Sequence, residues 1–325
     1  MKVFMLIYII VAIISFALIL YNYKYFGATD NYIQEIKEEN QHIFKSNTSI
    51  EINITSYTPL LFENIRFGQM PIKFYLDIDS AKNIPWFRDS NIENVLEAFD
   101  IWSNLTNRKI SFVRTLNKSD AQIIVSWSRN LTITNTTSRT VGEGGPIEIV
   151  DTGFFNLTIK AIANILPAGI KCIDVNRALH ELGHVLGFDH TDNPLDIMYP
   201  YESCSRQISQ NEIRTLENLY SLEPKAQLHL YNISAFVHYG YLDLNFTVKN
   251  VGLIASSETE VKIYSDNKNI AKVSIANLLP GSSFLGYLKN VKIIYGSKNL
   301  TIVVDPEEKI DMWYRNLTYV KLNLK

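Results

Sequence analysis

Cysteine is nearly absent from this chain. Its 325 residues hold two, Cys172 and Cys204, too few for a disulfide-built scaffold or for a zinc module held by four thiolates. An excess of either charge is missing as well: 31 Lys and Arg face 33 Asp and Glu, for a formal net charge of -2 and a sequence pI near 6.3. Nothing in that balance favours nucleic acid as a partner. Glycine (14) and proline (10) are sparse, which excludes a collagenous or low-complexity chain. The 46% of hydrophobic residues suffices for about two globular domains, each with its own core.

The first positive feature is an uncharged run over residues 3–20, in which only Tyr8 and Ser15 carry a hydroxyl. As a helix it would span roughly 27 Å, close to a bilayer core. A signal peptide has a shorter apolar region and a small-x-small cleavage site, whereas bulky residues follow here over 21–26. The expectation is a membrane-spanning helix over 3–21; the alternative is cleavage near Gly27 and Ala28, giving a secreted protein. Lys2 against Lys24 does not decide which side the rest faces. The sequons decide it. Asn-x-Ser/Thr occurs at Asn47, Asn53, Asn104, Asn117, Asn130, Asn135, Asn156, Asn232, Asn245, Asn299 and Asn316. The Ser and Thr content predicts about four by chance, so the excess points to a glycoprotein whose bulk lies outside the cell.

Residues 22–69 read as a juxtamembrane spacer. From Ile72 an apolar residue recurs at every second position through Ile78, the pattern of a half-buried strand. Ser90 and Glu93 form a capping box before Ile92, Val95, Leu96, Phe99 and Trp102 at helical spacing. Strands follow over 110–114 and 121–127, and the order implies a sheet with the helix packed on it. The glycine-rich run 141–146 lacks a following Gly-Lys-Ser/Thr, so it reads as a turn and not as a phosphate cradle. A second helix starts near Asp174 and stops at Gly187; a third starts at Ser209, with Glu212 closing a capping box, and Pro224 ends it. Beyond Pro224 the pattern is all-β: Leu242, Leu244, Phe246 and Val248 alternate with polar residues, and Gly252, Pro280-Gly281 and Gly296 break the strands.

The residues that carry chemistry are His180-Glu181-Leu182-Gly183-His184-Val185-Leu186-Gly187-Phe188-Asp189-His190. Four residues apart on a helix, His180 and His184 share a face and can present two imidazoles to one metal ion. Gly187 lets the chain leave with φ above zero and return His190 as a third ligand. Three protein ligands leave a fourth zinc position open, beside which Glu181 can accept a proton.

This stretch resembles the metzincin metallopeptidases, through H-E-x-x-H-x-x-G-x-x-H at His180, Glu181, His184, Gly187 and His190. Within them it is similar to the matrixins. Leu195-Asp196-Ile197-Met198-Tyr199-Pro200 looks like the matrixin Met-turn, which implies that Met198 floors the zinc. Residues 98–103, 120–123 and 208–220 are similar to the first helix, third strand and last helix of that family. The resemblance covers about 70–222 and implies a zincin-like α+β domain, with a mixed sheet, an active-site helix and a C-terminal helix, that hydrolyses peptide bonds with Glu181 as general base. The departures are specific. Histidine is missing between His42 and His180, so the second, structural zinc of vertebrate matrixins is not expected and one catalytic Zn2+ is. No cysteine precedes Cys172, so latency by a propeptide thiol is not available. Structural Ca2+ is not legible.

Cys172 and Cys204 bracket the helix and the Met-turn; a disulfide there would contribute roughly 3 kcal/mol outside the cell, two buried thiols being the alternative. His229 and His238 have no metal-like spacing. Residues 228–325 resemble the CARDB group of immunoglobulin-like surface domains, through Val248-Lys249-Asn250-Val251-Gly252, Leu279-Pro280-Gly281-Ser282 and Val304-Asp305-Pro306, although Trp313-Tyr314-Arg315-Asn316 replaces the usual acidic ending. That resemblance implies a β-sandwich facing a surface protein or glycan. The whole reads as a single-pass cell-membrane endopeptidase acting on proteins or peptides. The alternative is a surface adhesion protein with a zinc-stabilised, inactive domain.

Overall fold

The computed structural model describes residues 58–128 and 142–324. The helix expected over 3–21 lies outside them, and among the described residues no helix is long and apolar enough to cross a membrane. Buried apolar side chains form two clusters, one drawn from residues between Phe67 and Tyr220 and the other from residues between Ala226 and Met312.

The first cluster lies under a six-stranded sheet. Strands β1 (Ile65–Arg66), β2 (Ile72–Asp77), β3 (Phe112–Arg114), β4 (Ile123–Trp127) and β6 (Asn156–Ile165) run in the order β1-β6-β4-β2-β3, all parallel, and β5 (Gly142–Asp151) pairs antiparallel with the other side of β6. Alternate residues Ile72, Phe74 and Leu76 of β2 are buried, the half-buried strand that their period predicts. Helix α1 (Asp89–Leu105) buries Val95, Ala98, Phe99 and Trp102, and Phe99 stacks on Phe74 with ring centroids 4.1 Å apart. Helix α2 (Lys171–Val185) packs against α1, β5 and β6, and α3 (Gln210–Leu219) closes the domain.

Four expectations change. The glycine-rich run is not a turn but the start of β5, because pairing with β6 supplies the ladder that its glycines do not favour on their own. Part of the expected spacer belongs to the fold: Ile65 and Phe67 are fully buried, β1 pairs with β6, and Leu61 N–H donates to Gly187 O at 2.8 Å. The Ser90–Glu93 box does not form, since α1 starts two residues earlier, with Arg88 as its N-cap, and Asn91 Oδ1 takes the Arg88 N–H at 2.8 Å. Helix α2 starts at Lys171 rather than near Asp174, whose carboxylate accepts the Ala168 and Gly169 N–H groups just ahead of the helix. At α3 the expected box is present: Ser209 N–H donates to Glu212 Oε2 at 2.7 Å and Glu212 N–H to Ser209 Oγ at 3.3 Å.

The second cluster lies between a four-stranded antiparallel sheet, β10 (Lys268–Ile275), β9 (Thr259–Ser265), β12 (Asn299–Val304) and β13 (Tyr319–Asn323), and a three-stranded one, β11 (Ser283–Lys292), β8 (Tyr241–Asn250) and β7 (Leu228–His238). Side chains also join the two cores beside the linker. Thr152 Oγ1 donates to Val251 O at 3.1 Å, and the Phe155 and Trp313 rings lie 6.1 Å apart. Arg66, almost fully buried, donates to the carbonyls of Leu219 and Leu222 and covers the Tyr220 ring. It thereby satisfies carbonyls at and just beyond the end of α3.

Candidate metal centre

Helix α2 carries His180, Glu181 and His184 on successive turns, as their spacing requires. The chain leaves it at Gly187 with φ of 104°, and a Cβ there would collide with Ile65. That exit returns His190 to the helix. The three Nε2 atoms lie 3.2 Å from one another.

The outer ring nitrogens fix the tautomers. His180 Nδ1–H donates to Ile197 O at 2.7 Å and His184 Nδ1–H to Phe188 O at 2.8 Å, which leaves the Nε2 lone pairs of both rings facing inward. Burial holds the imidazoles well below their ordinary value, His180 at about 3 and His184 at about 4; His190, more exposed, is lowered in the same direction. Neutral rings with converging lone pairs repel unless a cation lies among them. A tetrahedral zinc ion with Zn–N of about 2.0–2.1 Å needs nitrogens about 3.3–3.4 Å apart, so the donor set fits such an ion in number, type and spacing. Among the described residues, these three histidines are the group whose ligand atoms converge in this way.

Beneath them lies the turn that contains Met198. Met198, fully buried, sets its Sδ against Gly183, where any Cβ would collide with it. Its N–H donates to Asp196 Oδ1 at 2.8 Å. Burial, together with the nearby Asp196, pushes the Glu212 carboxyl up to about 8. This acid pair ties the turn to α3.

The histidines open into a cleft of about 380 Å3. Glu181, almost wholly buried, lines it, and burial pushes its carboxyl up to about 8; Arg177 opposes that rise while Glu143 and Glu202 add to it. Strand β5 roofs the carboxylate. A Cβ at Gly142 would strike the Glu181 carboxylate, and one at Gly144 would strike the Glu181 backbone. The opposite wall is the segment 199–206, with Tyr199, Glu202 and Arg206, where the Arg206 guanidinium covers the Tyr199 ring at 4.7 Å. Three links join that wall to the first turns of α2: the Cys172–Cys204 disulfide, the Asn176 Nδ2 bond to Ser203 O at 2.8 Å, and the Arg177–Glu202 ion pair. Sequence reasoning singles out the three histidines, Glu181, Met198 and both cysteines. It misses Gly142, Gly144, Gly183, Arg177 and Glu202, of which only the glycine run left a trace. His229 and His238 lie on β7, outside this cleft.

Fold and site together define an α+β domain with a three-histidine cluster whose geometry fits a metal ion, joined to a β-sandwich. Residues 159–221 match the family model described as Matrixin and residues 228–312 match the one described as CARDB. The chain therefore carries a matrixin-like domain followed by a CARDB domain. It is 24% identical over 184 residues to karilysin of Tannerella forsythia, covering 51% of this chain and 36% of karilysin. It is 24% identical over 163 residues to macrophage metalloelastase of Oryctolagus cuniculus, covering 46% of this chain and 33% of that protein. The chain thus spans about a third of the length of either relative. Among solved structures it is similar to the hatching-enzyme zinc-protease high choriolytic enzyme 1 of Oryzias latipes, with 16% identity, TM-score 0.29 and coverage of 48% and 92% of the two chains. It is also similar to the CARDB domain of a Pyrococcus furiosus protein in complex with di-metal ions, with 17% identity, TM-score 0.28 and coverage of 31% and 88%.

Proposed function

We propose that this protein is a zinc-dependent endopeptidase in which His180, His184 and His190 hold the ion and Glu181 handles the proton. The convergence of three neutral imidazole nitrogens beside a buried carboxyl in one cleft carries this reading. Zinc bound there supplies Lewis acidity toward a peptide carbonyl. Burial raises the Glu181 carboxyl to about 8, and beside a cation held by the histidines it is drawn back toward the carboxylate; in that form it takes a proton from water on an Oε atom as the water attacks, and returns it to the departing amine. Ile197 and Phe188 hold the His180 and His184 rings in the ligating tautomer through their carbonyls. Met198 against Gly183 fixes the floor.

The same reading sets the catalytic domain, which takes in residues 60–69 beside 70–222, outside the cell, anchored by residues 3–21, with residues 228–325 turned toward a surface protein or glycan. The uncharged N-terminal run, the sequon excess and a disulfide of the kind that persists in oxidising compartments support it. The full-length protein, loaded with zinc and incubated with a peptide library, should cleave internal bonds, and a chelator should stop it. Stoichiometric zinc with no cleavage of any peptide would favour the surface-binding reading instead.

A further inference from the structure

The outer face of the three-stranded sheet is unusual for a surface. Leu242, Leu244, Phe246 and Val248 of β8 point into the sandwich core, so Tyr241, Asp243, Asn245, Thr247 and Lys249 take the outer face, where Thr247 is itself covered by its neighbours. At one end of that face the other domain arrives: Gly153 lies near Lys249 and the Phe154 ring lies 6.4 Å from His229. The remainder is open and apolar. Leu285 is 77% exposed, Tyr287 64% and Phe236 61%. Register sets these side chains around one residue, since Asn245 pairs with Tyr287 on one side and with Ser234 on the other, Leu285 pairs with Thr247, and Phe236 pairs with Asp243. Large exposed side chains gathered on one face mark a surface that something covers.

Asn245 is exposed and begins the sequon Asn245-Phe246-Thr247, and Asn232-Ile233-Ser234 lies on the adjoining edge strand at its bulge. We propose that Asn245 is an N-glycosylation site whose oligosaccharide lies over Tyr287, Leu285 and Phe236, so that the apolar face is covered by the chain's own glycan. The inference rests on the outward-facing reading above. The donor is a sugar activated as a lipid-linked diphosphate. Asn245 Nδ2 bonds to the sugar C1, the C1–O bond to the diphosphate breaks, the lipid diphosphate departs, and the amide loses one proton to the transferase. The C–H face of a pyranose ring then packs on the aromatic faces, while its hydroxyls restore a wettable surface.

Other sequons differ in kind. Asn104, Asn117, Asn232 and Asn316 are exposed, with Asn245 alone at the centre of this apolar patch. Asn156 is half-buried and its Nδ2 donates to Glu63 O at 2.8 Å, so in the folded chain its amide nitrogen is already engaged.

The test is glycopeptide mass spectrometry on the full chain secreted from a host that N-glycosylates, together with Asn245→Gln and the near-isosteric Thr247→Val. The expected result is sugar on Asn245 in most molecules, bare Asn156, and loss of that one glycan in either variant. Both variants should bind severalfold more of an apolar fluorescent dye and self-associate more, at unchanged zinc content. Glycans on Asn104, Asn117, Asn232 or Asn316 with Asn245 bare would overturn this proposal and leave the outward-facing reading standing; no glycan on any sequon would overturn both. An occupied Asn245 whose loss leaves dye binding unchanged would refute the covering of the apolar face.

Discussion

Each half of the molecule buries a cluster of ionisable groups, and the two clusters are built on opposite plans. In the sandwich, Asp305 has a fully buried carboxylate whose oxygens are met from within the chain, by Arg315 at 2.6 Å, Thr259 Oγ1 at 3.0 Å, and the backbone N–H groups of Lys309 and Ile310 at 3.1 and 3.0 Å. Burial opposes its ionisation, and these donors overcome burial to hold the carboxyl below its ordinary value. In the matrixin-like domain, His180, His184 and His190 turn their Nε2 atoms toward one point, and among the described residues no other side chain or N–H donates there. The carboxylate cluster is complete and serves as a staple for the 305–315 loop. The imidazole cluster is complete only with an ion, which is what separates a site from a structural knot.

The sharpest way to break that contrast is at the open cluster. His184→Ala should lower zinc affinity about a hundredfold or more and abolish cleavage, since a third of the ligand set is gone. Glu181→Ala should keep zinc while kcat falls by about 10²–10⁴-fold, because only the proton acceptor is removed. Zinc content and peptide hydrolysis measured side by side decide it, and undiminished hydrolysis in Glu181→Ala would reject the proposed role. At the closed cluster, Asp305→Ala should cost about 3–5 kcal/mol in urea unfolding, by leaving a guanidinium and backbone donors unpaired, with zinc binding unchanged. The disulfide is the next smaller effect. Replacing Cys172 and Cys204 together by serine should cost roughly 3–4 kcal/mol in unfolding free energy, given a loop closed across 32 positions.

Acid separates the clusters most finely. Both hold groups whose folded value is depressed, so each contributes stability above the unfolded value that is lost as pH falls toward the folded one. For His180 and His184 that loss starts near pH 6.5 and runs down through about 4 and 3 in the metal-free protein, but Glu181 and Glu212, raised to about 8, gain stability over the same fall until about pH 4.5, so the net decline lies below that. For Asp305 it starts only near pH 4. Urea midpoints against pH should therefore decline below about pH 4.5, with one part that saturating zinc shifts to lower pH and another that Asp305→Asn removes. A decline that zinc does not move at all would detach it from the histidines.

What the sequence made legible follows from distance along the chain. The ligating helix, the Gly187 exit and the Ser209–Glu212 box are local patterns, set by spacings of three or four residues. Strand β1 is two residues long and exists only because β6, about ninety positions later, pairs with it. Gly142 and Gly144 read as a turn by composition, and their real constraint is the Glu181 carboxylate beneath them. The Arg177–Glu202 pair likewise joins residues that no periodicity connects. Local order announces the donor atoms, and the walls around them come from pairing between distant segments.

The three links between α2 and the segment 199–206 bear on how the cleft can move. A covalent bond, an amide contact and an ion pair fasten one wall to the helix that carries His180, Glu181 and His184, so wall and floor form a single rigid body. Swinging that wall outward would drag the ligating nitrogens with it. The facing rim is the edge strand β5, paired to β6 along its length, whose glycines let its backbone pass close over Glu181. One wall of the cleft is thus fixed to its own floor, and the other is hung from the sheet.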